Sequence, residues 1–259
     1  MVDPSPAADV PGPGPERHIA LENALNFRDV GGYPTADGRS VRWRRMFRAG
    51  GLSELSEADL VVLDELGIKT VLDLRSTAEL ESGRFPVDDM PVTHHHLPLV
   101  EQVLDPTKYS VPEGMLAARY QEIAQIGATF IAQSISIIAD PDTHPIVVHC
   151  LAGKDRTGIV VALVLSLLGV EDDTVAEDYS LSNLAMSRLR ARAEAEPGPT
   201  MRRVQRSEDV TAEVFSAKPS NIISLFAALR SAHGSIEDYV VTSGLKREAI
   251  ESLRAGLLE

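Results

Sequence analysis

The chain has 259 residues, 44% of them apolar, enough for one sizeable domain with a full core or two small ones. Acidic residues number 38 against 25 basic ones, and the net charge of −13 excludes attraction to nucleic acid or anionic membrane through bulk charge, so an anionic ligand has to be drawn by a local field. A single cysteine excludes an internal disulfide, and no apolar run reaches the length of a membrane span.

In chain order, the first eighteen residues, with five prolines among the first fifteen, read as a disordered tail. They lack the basic start and apolar centre of a signal peptide. "TADG" supplies a turn, and "RSVRWRRMFRAG" (39–50) alternates like a strand or hairpin arm. "SEADLVVLDELG" (56–67) is a helix capped by Ser56 and ended by Gly67, and "IKTVLDLRS" (68–76) is a strand. "PVTHHHLPL" (91–99) is a second, weaker strand. Residues 113–139 carry helical periodicity with a break at Gly127. "PIVVHC" (145–150) reads as a buried strand, and "TGIVVALVLSLLG" (157–169) as a buried helix, apolar nearly all round. Residues 186–210 are polar and arginine-rich and look less packed, and the C-terminal forty residues read as three helices divided at Gly234 and Gly244. Alternating strands and helices predict an α/β fold with a four- to five-stranded, mainly parallel sheet covered on both faces and a helical C-terminal part. No internal repeat is present. Residues 19–259 are expected to form one domain.

The only cysteine lies in "VHCLAGKDRTG" (148–158), between the buried strand and the buried helix. A loop running into a helix N-terminus points several backbone N–H groups at one spot, and the helix dipole adds positive potential there. Leu151, Ala152, Gly153, Lys154, Asp155 and Arg156 form that loop. Gly153 allows a tight path, and the planar fork of Arg156 matches two phosphate oxygens. Such a field favours the ionised, nucleophilic form of a thiol. Cys150 is therefore read as a nucleophile at the floor of a phosphate-sized site, attacking phosphorus in line to give a phosphocysteine that water hydrolyses. A nucleotide-binding Walker loop fails because Val148 stands where its first glycine belongs and Asp155 follows Gly153-Lys154. A cysteine-protease pair fails because His149, adjacent on a strand, points to the opposite face. His149 is given a supporting role in shaping the loop. An inert core cysteine is the plainer alternative, but it leaves the glycine, lysine, aspartate and arginine of the next six positions unexplained.

"HCLAGKDRTG" resembles the HC-x5-R-[ST] signature of the protein tyrosine phosphatase superfamily. Its Gly-Lys-Asp-Arg-Thr core is similar to an atypical microbial branch with dual-specificity and phosphoinositide activity. "NALNFRDVGGY" (23–33) and "GSIEDYVVTSGLKREAIESLR" (234–254) resemble that branch's N-terminal motif and closing helices. The resemblance implies Cys150 as nucleophile, Arg156 as phosphate clamp and Thr157 as the hydroxyl that supports the departing thiolate. It also implies that residues 186–210 cover the pocket as a lid; the alternative is a solvated charged helix.

Many relatives carry the general acid on a separate loop after a tryptophan, but the one tryptophan here, Trp43, has no following Pro-Asp. Asp155, inside the loop, is the first candidate. Asp73 is the second: it stands with Arg75 at the C-terminal end of a parallel strand, where ligands gather in open α/β sheets, and the pair is equally readable as a buried structural network. Lys154 is read as widening the positive rim toward a second phosphate. Asn26, Arg28 and Asp29 of "NFRDVGG" are read as a capped turn supporting the site. The histidines at 94–96 alternate faces on a strand, and no ligand cluster stands near them in sequence, so no metal is expected.

The expected function is phosphomonoester hydrolysis without metal or organic cofactor. The partners are a phosphoprotein or phosphoinositide substrate and inorganic phosphate as product, with no nucleic acid and no integral membrane segment. The chain is expected in the cytoplasm, or exported without a cleaved signal. A phosphate-binding module without turnover and a sulfur transferase are the rival readings; the first needs no nucleophile, and the Arg156-Thr157 ending fits phosphate better than a persulfide.

Overall fold

The computed structural model describes residues 17–81, 83–101, 114–195 and 214–259. The proline-rich tail up to residue 16 lies outside the described residues, as does the stretch 196–210 of the expected lid.

Five strands form one sheet in the order β1-β2-β5-β3-β4: β1 (Arg28–Asp29), β2 (Met46–Ala49), β3 (Thr70–Asp73), β4 (Thr93–His96) and β5 (Ile146–His149). Only β1 runs antiparallel; β2, β5, β3 and β4 are parallel neighbours. The central strands are buried at every position, as a parallel sheet covered on both faces requires. Their alternation sorts two cores. Met46, Leu72, Ile146 and Val148 join the larger cluster, and Phe47, Val71 and Val147 join the smaller.

The larger core is built around α5 (Asp155–Leu167), whose residues from Arg156 through Leu165 are all buried. Each enclosed valine or leucine there contributes on the order of 1.5–3 kcal/mol of burial free energy. Against it pack α3 (Met115–Ile126), α4 (Ala128–Ala139) and α6 (Asp172–Ser180). The break at Gly127 is present, with a bend of 79° between α3 and α4. A Cβ on Gly127 would stand 2.6 Å from the Leu99 carbonyl, so the corner is closed to larger residues. The three C-terminal helices are α8 (Pro219–His233), α9 (Ile236–Thr242) and α10 (Arg247–Leu257). Among the described residues no single helix is long and apolar enough to cross a membrane.

The smaller core is covered by α1 (Glu57–Glu65). Ser56 and Asp59 form a reciprocal cap at its start, and Gly67 takes a left-handed φ of 65° at its end, as the sequence predicts.

Three expectations change. The strand read over 39–50 reduces to Met46–Ala49, because Arg44 takes a φ of 60° and bends the chain before it. The buried helix begins at Asp155, two residues before the expected start: its first turn is polar, and an acidic residue at a helix N-terminus suits the dipole even where apolar periodicity has not begun. One short helix was not expected, α2 (Thr77–Glu81), whereas α7 (Ser182–Ala195) carries a helix into the polar segment, one of the readings given for it. That segment starts at 186, where Met186 is buried.

Candidate active site

Registers place Ala49, Asp73 and His149 side by side at the C-terminal ends of β2, β3 and β5. The loops leaving those ends meet at one edge of the sheet. Cys150 leaves β5 there, 2% exposed, and the chain turns through Leu151–Lys154 into α5.

Three backbone carbonyls of this turn are gripped from neighbouring segments. Gly51 N donates to Leu151 O at 2.9 Å, and Asn26 Nδ2 donates to Ala152 O at 3.3 Å and to Gly153 O at 2.9 Å. Arg48 Nη2 donates to Gly153 O at 2.9 Å. With the carbonyls held on that side, the amides of Leu151, Ala152, Gly153 and Lys154 have no protein acceptor among the described residues. Four free amides ahead of a helix N-terminus make an anion nest. Gly153 is required: its φ is 66°, and a Cβ would stand 2.3 Å from Ala49 O.

Arg156 lies in the first turn of α5, and its guanidinium meets both oxygens of Glu79 on α2, one pair at 2.8 Å. Burial opposes its charge, but the hydrogen bonds it donates to Glu79 and the negative charges of Cys150 and Glu79 outweigh that and hold its pKa above the ordinary arginine value. Glu79 is in turn fixed by the Ser76 amide at 2.8 Å, and its carboxyl sits below the usual range: burial opposes this, and Arg156 overcomes it. Thr157 is fully buried, and its hydroxyl has no hydrogen-bond partner among the described residues.

Asp155 is only partly covered, and its Oδ1 accepts from Tyr120 Oη at 2.6 Å. Tyr120 also meets Tyr179 Oη at 2.6 Å, and burial pushes the Tyr120 phenol well above its ordinary pKa, so it remains a donor. Asp73 is different. It is fully buried, with Arg75 bound to both oxygens at 2.6–3.0 Å. Burial favours its neutral form, but the neighbouring His94 ring and the hydrogen bonds from Arg75 prevail and keep it ionised far below the carboxylate norm. It therefore offers neither a proton nor access to a substrate. Of the two readings for Asp73 and Arg75, the geometry matches the structural network.

Lys154 also departs from expectation. It is 2% exposed, its Nζ donates to Val214 O at 2.6 Å and Ser216 O at 3.2 Å, and it lies 3.3 Å from Asp155 Oδ1. An ammonium enclosed by carbonyls does not form a positive rim. His149 is fully buried, with Nδ1 3.3 Å from Cys150 O, and burial pushes its pKa down to about 4.

The "NFRD" turn divides. Asn26 grips the loop directly. Arg28 donates to Asn26 Oδ1 and to Asp178 Oδ1 at 3.2 Å. Asp29 faces away, accepting from the Gly31 and Arg44 amides at 2.7 and 2.9 Å to close its own turn.

Sequence reasoning did not single out Glu79, Arg48, Asp178, Tyr120 or Tyr179. Arg48 carried a signal, a charge inside a short apolar strand, which marks a paired burial. Arg48 Nη1 reaches Asp178 Oδ2 at 2.5 Å, and both side chains are 1% exposed. The others follow from tertiary contacts over long separations.

The chain is similar to several known proteins. The triple specificity protein phosphatase PtpB of Mycobacterium tuberculosis is 29% identical over 280 aligned residues, which cover 92% of this chain and 98% of that one. A putative tyrosine-protein phosphatase of Cupriavidus necator is 29% identical over 252 residues, 91% of this chain and 85% of that protein. Among solved structures, the catalytic core of the Saccharomyces cerevisiae PP-IP phosphatase Siw14 aligns at a TM-score of 0.40 and 15% identity, covering 63% of this chain and 79% of that one. The model of the tyrosine phosphatase family matches residues 19–259, so a cysteine-dependent phosphatase loop stands here in a chain that belongs to the tyrosine phosphatase family.

Proposed function

We propose that residues 19–259 act as one catalytic domain that hydrolyses phosphate monoesters on proteins, phosphotyrosine first, with phosphoserine, phosphothreonine and phosphoinositide headgroups as further substrates. The name of the mycobacterial relative, a triple specificity phosphatase, supports the breadth. The observation that carries the reading is that the loop amides of residues 151–154, which meet no protein acceptor among the described residues, stand in sequence between Cys150 and a guanidinium locked by Glu79.

In this reading the substrate phosphoryl group lies in the ring, its non-bridging oxygens on the amides of residues 151–154 and the fork of Arg156. The Cys150 thiolate attacks phosphorus in line, a sulfur–phosphorus bond forms, and the bond to the leaving oxygen breaks. Asp155, partly exposed and oriented by Tyr120, protonates that oxygen. Water then attacks the phosphocysteine, Asp155 takes its proton, inorganic phosphate leaves, and the Thr157 hydroxyl, which has no other partner among the described residues, donates to the departing thiolate. His149, Asn26 and Arg48 position the loop and touch no substrate.

Turnover of p-nitrophenyl phosphate by the wild type, with none by Cys150→Ser, tests the chemistry. A panel of phosphopeptides and phosphoinositides then ranks substrates. Activity surviving in Cys150→Ser would overturn the assignment.

A further inference from the structure

Around the register pair Asp73–His149, one residue before Cys150, three side chains converge that touch no reacting atom in that reading. One ligand atom from each of Asp73, His94 and His149 lies within 4.8 Å of the other two. His149 Nε2 stands 3.6 Å from Asp73 Oδ2, and His94 Nε2 stands 3.7 Å from the same oxygen. Both Nε2 atoms are buried and have no hydrogen-bond partner among the described residues.

His149 is held between two acceptors. Nδ1 faces the Cys150 carbonyl at 3.3 Å and Nε2 faces the Asp73 carboxylate. A neutral imidazole carries one proton. If Nδ1 donates to the carbonyl, the Nε2 lone pair points at a carboxylate; if Nε2 carries the proton, the Nδ1 lone pair points at a carbonyl. A cation between Nε2 and Oδ2 removes the conflict, and it selects the tautomer in which Nδ1–H donates to a backbone carbonyl, the usual outer contact of a metal-bound histidine.

We propose that Asp73, His94 and His149 form a binding site for a divalent transition metal, with Zn2+ the first choice. Two imidazoles and one carboxylate are a common zinc donor set, leaving a fourth position for water. Tetrahedral zinc with bonds of about 2.0–2.1 Å separates its ligands by roughly 3.3–3.4 Å. Two edges of the triangle are already close to that length, so shifts of a few tenths of an ångström complete them. His94, with 18% of its side chain exposed and its ring stacked on Phe85, provides the side of entry. Arg75 remains on Asp73 and opposes a second cation, which sets the affinity below that of an unopposed site. The metal joins the ends of β3 and β5 to the second residue of β4, one residue before Cys150. The run of histidines gave no metal expectation because the other two ligands, Asp73 and His149, come from strands distant in sequence.

The test uses the full chain carrying Cys150→Ser, so that thiolate ligation is impossible, with Zn2+ by equilibrium dialysis and Co2+ by absorption. The expected result is stoichiometric Zn2+ binding, intense tetrahedral d–d bands with Co2+, and a loss of affinity of roughly tenfold or more when His94→Ala is added. Absence of binding in Cys150→Ser, a weak octahedral Co2+ spectrum, or affinity unchanged by His94→Ala would overturn the site. Should the double variant fail to fold, the Co2+ spectrum of Cys150→Ser alone decides. Phosphatase activity plays no part in these readouts, so their failure leaves the proposed reaction standing.

Discussion

Arg156 is clasped by Glu79, which lies 77 positions earlier in the chain, and the two guanidinium nitrogens meet the two carboxylate oxygens. A bidentate pair fixes the plane of the guanidinium as well as its place, so the free edge of the fork is preset for a phosphate. Hydrogen bonds to charged groups contribute about 1.5–3 kcal/mol. Glu79→Gln is therefore expected to lower kcat/KM by roughly 10–150-fold and to weaken competitive inhibition by inorganic phosphate in parallel, with the melting transition kept. Steady-state kinetics on p-nitrophenyl phosphate checks it, and kinetics within twofold of wild type would show that Arg156 needs no such partner.

The tight path of the loop depends on Gly153. An L-residue at its positive φ costs about 1–2 kcal/mol. The added methyl would also meet backbone on two sides, 2.3 Å from Ala49 O and 2.6 Å from Gly50 N. Neither neighbour is a flexible side chain, so the loop has to open. Gly153→Ala is expected to lose phosphate binding and turnover together, which isothermal titration and rate measurements on the same sample resolve. Retained phosphate affinity would mean that the ring tolerates opening.

Much of this was legible in sequence because the information is local. Ser56 with Asp59 and Gly67 bounds a helix by cap chemistry, Gly127 breaks one, and Gly234 and Gly244 divide the C-terminal helices. The loop from Cys150 to Arg156 is contiguous, so its chemistry could be read directly. Lys154 was misread because local sequence does not reveal that carbonyls at 214 and 216 enclose its ammonium. Glu79 and Asp178 were missed for the same reason: each acts on a residue more than seventy positions away. The alternation over 39–50 misled because the left-handed residue Arg44 interrupts it, and nothing about an arginine announces a positive φ.

Asp155 and the leaving group should be coupled. A proton donor matters most when the departing oxygen is a poor leaving group, and general acid catalysis supplies roughly 10²–10⁴-fold. Asp155→Asn is expected to depress kcat by that order on alkyl phosphates such as phosphoserine peptides, and far less on p-nitrophenyl phosphate. The slope of log kcat against leaving-group pKa measures this directly. Equal losses on both substrate types would assign Asp155 to positioning, through Tyr120, instead of proton transfer.

Asp178 is the buried anion that joins the N-terminal motif to the loop. It receives Arg28 Nε at 3.2 Å, Arg48 Nη1 at 2.5 Å and Tyr33 Oη at 3.0 Å. Arg48 in turn holds the Gly153 carbonyl. Burial alone would raise the Asp178 pKa, but the two arginines and the phenol reverse this and hold the carboxyl well below the ordinary range. The same site pushes Arg28 down to about 10, chiefly through burial and the like charge of Arg48. In the unfolded chain an aspartate titrates near about 3.9. A carboxyl whose folded value lies lower adds stability that is fully present above the unfolded value and is lost as pH falls through it toward the folded one. Asp178→Asn leaves two buried guanidinium groups without their anion and is expected to cost about 3–5 kcal/mol at neutral pH. Its unfolding free energy should also fall less steeply than that of the wild type below about pH 5. Urea titrations of both proteins across that interval test the two effects together. Parallel pH profiles would remove Asp178 from the acid sensitivity of the fold, and an unchanged midpoint at neutral pH would remove it from the support of the loop.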